Sequence, residues 1–567
     1  MMQIKEAATV YDVCIVGSGA GGGTAAHVLT RAGANVVMLE AGQWWDSAKD
    51  SKMMAWPYDS PRRGAKTKER EFGEFDGCIG SWTIDGEPYT TAPNERFDWY
   101  RARMLGGRTN HWGRISLRFG PDDFKHKSLD GLGDDWPWGY DEIKPYYDEL
   151  DKFVGLFGTV EGLHNDPDGI FLPPPKPRCY ELLIKKAADE LKITCIPSRL
   201  SILTRPLNGR AACHYCGQCG RGCATHSNFS STSVFLPPAL ATGKLKIITG
   251  AMAREVLTDT NGLATGVSYV NTADGQEYTV RAKAVVLAAS ACESARLMLN
   301  SKSPRHPNGL SNSSGQLGKN LTDSTGLSVG GFIPKLLDMP AHNEDGTGGM
   351  HLFMPWWLDN KTLNFPRGYH IEIGGGRDMP GYGFGGGIQF APGGMGGGYG
   401  AKLKAEYRRY YGASVGFAGR GEMVPNADCY CEIDPNTVDR YGIPVLRFRW
   451  KWGESEILQA RHMQETFREI IQQMGGEPYG TMPDREHDYG LEAGGRIIHE
   501  AGCTRMGADP KTSVLDEWCQ AHEAKNVAVC DAGPFVTNAD KNCTWTIMAL
   551  AWRTSTHLAD QLTKGNV

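Results

Sequence analysis

Three observations predict an α/β protein of two domains. Residues 11–16 (YDVCIV) form a short apolar run that leads directly into GSGAGGGTAAHVLTRAGANVVMLEAG, which reads as a glycine turn, a helix and a second strand. A later stretch, AVVLAASACESARLMLN from Ala284 to Asn300, repeats the pattern of a strand feeding a helix. The chain's 567 residues exceed what one hydrophobic core usually supports.

The first unit carries the strongest local signal. Gly17, Gly19 and Gly22 fit G-x-G-x-x-G, a spacing that provides a tight turn, close backbone approach to a pyrophosphate and tight helix packing. A helix is predicted from about residue 22 to 32. The strand NVVMLE then ends at Glu40, where a carboxylate accepts hydrogen bonds from a ribose. This order defines a Rossmann-like dinucleotide-binding unit, and on these residues alone both FAD and NAD fit it.

Further along, residues 374–400 hold 14 glycines with Tyr382, Phe384, Phe390 and Tyr399 interspersed. Such density forbids a regular helix, so the segment reads as irregular surface. Its functional alternatives are a mobile cover over a substrate mouth and a partner-docking surface. A helix from Glu454 to Met474 follows, with Ile457, Ala460, Met463, Phe467, Ile470 and Met474 at three- and four-residue steps, a core stripe.

Composition excludes several classes. A net charge of −5 argues against nucleic acid as the main partner. The strongest apolar stretch, AVVLAASA, is much too short to span a bilayer. No cationic region, apolar core and cleavage site precede the first strand, so no signal peptide of its own is expected. Fifteen cysteines in a chain this large do not form a disulfide scaffold, and only Cys213, Cys216, Cys219 and Cys223 have ligand-like spacing.

Three later segments narrow the choice of cofactor. They are MLGGRTNHWGRISLR (104–118), the strand and helix at 284–300, and HEAGCTRMGADPKTSVLD (499–516) continued by NVAVCDAGPFVTNADKNCTWTIMALAWRTS. Together they resemble the glucose-methanol-choline (GMC) oxidoreductases, a family of FAD-dependent alcohol oxidases and dehydrogenases. The phrases DDWPWGYDEIKPYYDELDKFVGLFG and SGQLGKNLTDSTG are similar to the branch that holds gluconate 2-dehydrogenase flavoprotein subunits, FAD-dependent glucose dehydrogenases and glucoside 3-dehydrogenases.

The resemblance implies a discontinuous FAD domain, residues 1–150, 200–329 and 491–567, containing the cysteine loop. The implied substrate domain, sheet and helix, occupies 330–490 with parts of 151–199. It also implies cofactor contacts from Gly106, Gly107, Asn110, His111 and Asp531, besides Gly17, Gly19, Gly22 and Glu40. In related pyranose oxidases a histidine in a similar segment binds the flavin covalently. For His111 two readings stand, a covalent link or a histidine packing on noncovalent FAD.

Oxidising an alcohol requires a base within hydrogen-bond reach of the hydroxyl while hydride leaves the same carbon. The resemblance assigns that base to His499 and its pairing position to Asn542, which cannot titrate and would orient the substrate oxygen. The chain departs from the common family text at Cys503 and at Cys543, which replaces a common proline. Neither change removes an acid or a base.

The spacing C-x2-C-x2-C-x3-C from Cys213 to Cys223 is that of ferredoxin loops, whose turns bring thiolates onto one iron–sulfur cluster. Gly217, Gly220 and Gly222 are read as the source of turning freedom. Structural zinc competes, although its knuckles usually lie further apart. Related glucose dehydrogenase subunits carry a 3Fe-4S cluster on cysteines spaced as Cys213, Cys219 and Cys223 are. This favours 3Fe-4S over 4Fe-4S and leaves Cys216 the least certain ligand.

The expected function is a dehydrogenase oxidising a ring hydroxyl of a sugar or glycoside, carbon 3 of a glucoside preferred, that passes electrons through the cluster to an external cytochrome-type acceptor. No C-x-x-C-H occurs, so any c-type haem sits on another subunit. Relatives often pair with a small export or assembly subunit. Periplasmic location by co-export and a cytoplasmic location both fit. The competing readings are an oxygen-using oxidase with a structural metal site and a non-catalytic electron-transfer subunit.

Overall fold

The computed structural model describes residues 9–51, 55–337, 339, 346–355, 362–376 and 400–567. Most of the glycine-rich segment, 377–399, lies outside these. The first sheet places β1 (Val10–Val16) between strand Glu277–Leu287 and β2 (Val36–Glu40), all parallel. Leu245–Thr249 lies beyond β2, and Ala524–Val529 beyond Glu277–Leu287. Val13, Cys14, Ile15, Val36, Val37 and Met38 are wholly inaccessible. Strands covered on both faces need apolar residues at every position, hence continuous apolar runs without alternation.

The register sets Val16 against Leu39, and the Gly17 N–H donates to Leu39 O at 2.8 Å. The glycine turn therefore sits level with Glu40 at the carboxyl edge of the sheet, where open α/β sheets bind ligands. Helix α1 (Ala20–Arg31) starts two residues earlier than predicted and packs on the C-terminal helix Thr544–Lys564. Its His27 is enclosed by the rings of Phe153, Phe235 and Trp552.

A second, six-stranded sheet is antiparallel throughout and includes Ser328–Phe332, Ser414–Gly421, Tyr369–Gly375 and Leu352–Met354. Side chains alternate across a strand. Val415 and Phe417 thus face helix Glu454–Gln473, with Gly419, where an added Cβ would lie 2.5 Å from Met463 Sδ. The helix buries Ile457, Ala460, Met463, Phe467 and Ile470 against that face, as its periodicity predicts. The other face carries His370, Glu372 and Arg420, with His370 paired to Arg420 across the strands.

Hairpin residues 430–449 lie away from this sheet. They pair with Thr90–Thr91, and Asp439 is ion-paired at 2.7 Å to Arg296 of helix Ala291–Asn300. Among the described residues no helix is long and apolar enough to cross a membrane.

Candidate active site

A cavity of about 540 Å³ lies between the carboxyl edge of the first sheet and the charged face of the second. Gly17, Gly19, Glu40, Gly107, His111 and Asp531 line one part of it, and Glu372, Arg420, His499 and Asn542 another.

The glycine turn divides its labour. Gly17 has φ +98°, and an added Cβ would lie 2.3 Å from Ala288 O, so both conformation and space demand glycine. At Gly19 an added Cβ would meet nothing within 4 Å, which leaves the backbone open to a ligand. Gly21, a free position in the motif, is the most constrained, since its Cβ would lie 1.4 Å from Cys530 O.

Glu40 accepts from the N–H groups of Ser18 at 3.2 Å and Gly42 at 2.8 Å, and from the Ser18 hydroxyl. Burial pushes its carboxyl above the usual range. Asp531 accepts from Ser294 Oγ at 2.5 Å and Gly533 N at 2.8 Å, and burial raises it to about 6.

Three expected cofactor contacts stand behind the wall. Gly22 packs beneath the turn, where a Cβ would lie 1.9 Å from Gly17 O. Gly106 takes φ +84° and donates its N–H to Ser18 Oγ at 2.8 Å. Asn110 is buried, donating from Nδ2 to Leu105 O at 2.9 Å and Gly107 O at 3.1 Å. These residues shape the cavity without lining it, Gly106 by tying its loop to the glycine turn and Asn110 by bracing that loop from within. His111 does line it, stacked on Tyr100 with centroids 5.3 Å apart and with Nδ1 3.4 Å from Asp76 Oδ1.

His499 Nε2 lies 3.5 Å from Asn542 Nδ2, and His499 Nδ1 lies 3.0 Å from Ser324 Oγ. An amide nitrogen only donates, so this contact leaves Nε2 as the lone-pair nitrogen and puts the ring proton on Nδ1, facing Ser324. Asp323 Oδ1 accepts from the His499 N–H at 3.0 Å, and Asn538 Nδ2 donates to its carbonyl at 2.9 Å. Enclosure deep in the cavity, followed by the Arg420 charge, lowers the imidazole to about 3, so the ring is a neutral acceptor.

Sequence reasoning missed the charged pair behind Asn542. Glu372 Oε1 accepts from Asn542 Nδ2 at 3.1 Å, and Oε2 is ion-paired to Arg420 at 3.1 Å. Burial works against the Glu372 charge, but Arg420 and the neighbouring His370 hold the carboxyl down to about 2. With Nδ2 so engaged, Asn542 Oδ1 is left buried without a protein partner. A charged residue at the centre of the apolar strand YHIEI was the available signal.

Residues 20–325 match the N-terminal and residues 425–551 the C-terminal family model described as GMC oxidoreductase. The chain belongs to the GMC oxidoreductases. It is 29% identical over 569 residues to the 2-methyl-1,2-propanediol dehydrogenase of Mycolicibacterium austroafricanum, covering 97% of this chain and 95% of that one. It is 26% identical to the fructose dehydrogenase large subunit of Gluconobacter japonicus, covering 98% of each. The pyridoxine 4-oxidase structure from Mesorbium loti superposes with a TM-score of 0.61 at 17% identity, covering 96% of this chain and 99% of that one, and so shares the fold.

This GMC oxidoreductase is an FAD-dependent enzyme of CH–OH groups. The open backbone at Gly19, the Glu40 carboxylate and the cavity running from them to His499 fit that cofactor. The cysteine loop lies directly behind the cavity wall. Asp76 lines the cavity, and the next residue, Gly77, donates its N–H to Gly220 O at 2.7 Å.

Gly217 and Gly222 take the positive φ expected of them, 68° and 104°. Gly220 does not, and it contributes its carbonyl instead. Cys219 and Cys223 are buried and Cys213 and Cys216 partly so. Among the described residues, the groups of three ligand atoms within 4.8 Å are Asp76/Cys78/His111 and Asp123/His126/Glu422. No three of the four cysteine sulfurs lie within 4.8 Å of one another.

Proposed function

We propose that this enzyme oxidises a ring hydroxyl of a sugar or glycoside, with carbon 3 of a glucoside the preferred position, and releases the electrons one at a time to a protein acceptor. The observation that carries the alcohol chemistry is the facing pair His499 and Asn542 in a cavity that begins at the dinucleotide turn. His499 Nε2 takes the hydroxyl proton, and Ser324 holds the tautomer that leaves this nitrogen unprotonated. Asn542 Nδ2 keeps one hydrogen on Glu372 and turns the other from His499 to the substrate oxygen, so that Glu372 fixes Asn542 and Asn542 fixes the oxygen. Loss of the proton to Nε2 and of hydride from the carbon leaves a ketone, or a lactone at an anomeric carbon. When bound, FAD supplies the hydride acceptor and an iron–sulfur cluster a one-electron exit.

The relay reading rests on the short path from Asp76 through Gly77 to Gly220 of the cysteine loop. The C-x2-C-x2-C-x3-C spacing supports an iron–sulfur cluster over zinc, 3Fe-4S on Cys213, Cys219 and Cys223 being favoured. Similarity to the fructose dehydrogenase large subunit supports a sugar substrate. A separate haem-type acceptor and a small export subunit complete the proposal, with His111 as the site of any covalent flavin link.

Anaerobic reduction by methyl glucosides and free sugars, compared between the native enzyme and His499→Ala, tests the catalytic assignment. Flavin bleaching by a sugar that the variant loses supports it, and an equal rate in the variant overturns it. Oxygen consumption without added acceptor, at a rate matching turnover, would instead establish an oxidase.

A further inference from the structure

Among the described residues, four of the eight buried arginines meet carboxylates. Arg118 pairs with Asp148 and Asp151, Arg199 with Asp166, Arg296 with Asp439 and Arg367 with Asp130 and Glu422. Around the cysteine loop no arginine is so paired. Among the described residues Arg114, Arg210 and Arg221 have no carboxylate within 4.0 Å.

Arg114 is 2% exposed, spends Nη1 and Nη2 on the carbonyls of Trp112 and Asn110, and leaves Nε without a partner. Arg210 donates from Nη2 to Val154 O and leaves Nη1 buried and unpartnered. Arg221, 8% exposed, reaches Ala55 O at 3.4 Å and lies 4.0 Å over the Phe75 ring. Arg101 and Arg553 also lack carboxylates but are stacked over tryptophan rings, which Arg114 and Arg210 are not.

The three residues converge on one place. Arg221 lies between Cys219 and Cys223 in the chain, and Arg210 precedes Cys213 by three residues. The Arg114 carbonyl accepts from Ser201 N at 2.9 Å, on the segment whose Leu203 carbonyl accepts from Cys213 N at 2.7 Å. Asn110 O, which accepts from Arg114 Nη2 at 3.0 Å, lies against Gly77 together with Gly220 O and the Arg221 carbonyl carbon: a Cβ added at Gly77 would be 3.0 Å from the first and 3.2 Å from each of the others.

Cations that are partly or fully desolvated and have no carboxylate within reach are not left so without large cost. An anionic metal–thiolate centre removes the imbalance. We infer that Arg114, Arg210 and Arg221 form the counter-charge set of the iron–sulfur centre on the Cys213–Cys223 loop and keep its reduced state accessible. The inference rests on the relay reading above. Arg114, which also grips the loop carrying Asn110 and Trp112, joins that centre to the cofactor wall.

The test uses the full chain as purified. Iron and acid-labile sulfide are measured first, and the cluster is then titrated potentiometrically by electron paramagnetic resonance in the native protein, Arg210→Met, Arg221→Met and Arg221→Lys. Flavin absorbance serves as the folding control. Removing one nearby positive charge disfavours the reduced cluster about tenfold, the low end for a charge a few ångströms from a buried ionisation, or about 59 mV downward for one electron. The lysine variant stays near the native midpoint.

A native cluster whose midpoint is the same in both methionine variants overturns the counter-charge role alone. A native protein without iron or sulfide overturns the relay reading and this inference with it. Should the methionine variants lose the cluster, iron retained by Arg221→Lys supports the charge account, and iron lost there too assigns the effect to shape and overturns it.

Discussion

Replacing Glu372 by glutamine removes one charge from the charged face of the second sheet while keeping its size. The carboxylate accepts from Asn542 Nδ2 at 3.1 Å and pairs with Arg420 at 3.1 Å. A hydrogen bond to a charged group contributes about 1.5–3 kcal/mol. Glutamine also leaves Arg420 unopposed, and that charge already depresses the basicity of His499 while Glu372 counters it.

Losing this support in the transition state slows the chemical step by roughly 10- to 150-fold. Anaerobic stopped-flow measurement of flavin reduction at saturating substrate, with hydrogen or deuterium on the reacting carbon, reads that step directly. The predicted result is a slower rate with the isotope effect retained. A reduction rate within about threefold of native, with only the apparent affinity changed, would refute the role given to Glu372.

Three other outcomes follow from the same structure. His499→Ala should slow flavin reduction by about 10²–10⁴-fold without loss of bound flavin, the range for a removed general base; stopped-flow rates and the flavin-to-protein ratio check it. Gly21→Ala drives a methyl toward Cys530 O and should yield protein depleted of FAD, measured as absorbance per chain, because overpacking of about 1–3 kcal/mol falls on the turn itself.

His27 is held to about 4 by burial and then by Arg31. Between the ordinary histidine value and 4 the unfolded chain binds a proton that the folded one excludes, so this site loses stability as pH falls. That loss amounts to about 2 kcal/mol at pH 5. His27→Phe should therefore gain on the native protein in urea midpoint at pH 5 relative to pH 8, and parallel midpoints at both pH values would contradict the account.

How far the molecule could be read from its sequence depends on where its constraints lie. β1, the glycine turn, α1 and β2 are local in sequence, and two-sided burial prints them as apolar runs around a motif. The stripe on helix Glu454–Gln473 is legible for the same reason. Glu372 and Arg420 are not, because their meeting depends on the antiparallel register of two strands with no motif in either. Gly21 matters more than its motif position suggests, since the obstacle is a carbonyl more than 500 residues away in sequence.

Gly106 and Asn110 show the converse. Their residue types suit close approach to a ligand, but the Gly106 N–H goes to Ser18 of the glycine turn and the Asn110 amide to its own loop. The three arginines around the cysteines carry no sequence signal at all, as only their desolvation without a carboxylate beside one loop sets them apart.

The measurement that bears most directly on the central claim is an anaerobic titration of the purified chain with a glucoside, followed by visible absorbance and electron paramagnetic resonance together. The account predicts that the flavin bands bleach and that an iron–sulfur signal changes with them. Bleaching without any iron signal would contradict it and leave the cysteine loop with zinc or with thiols alone.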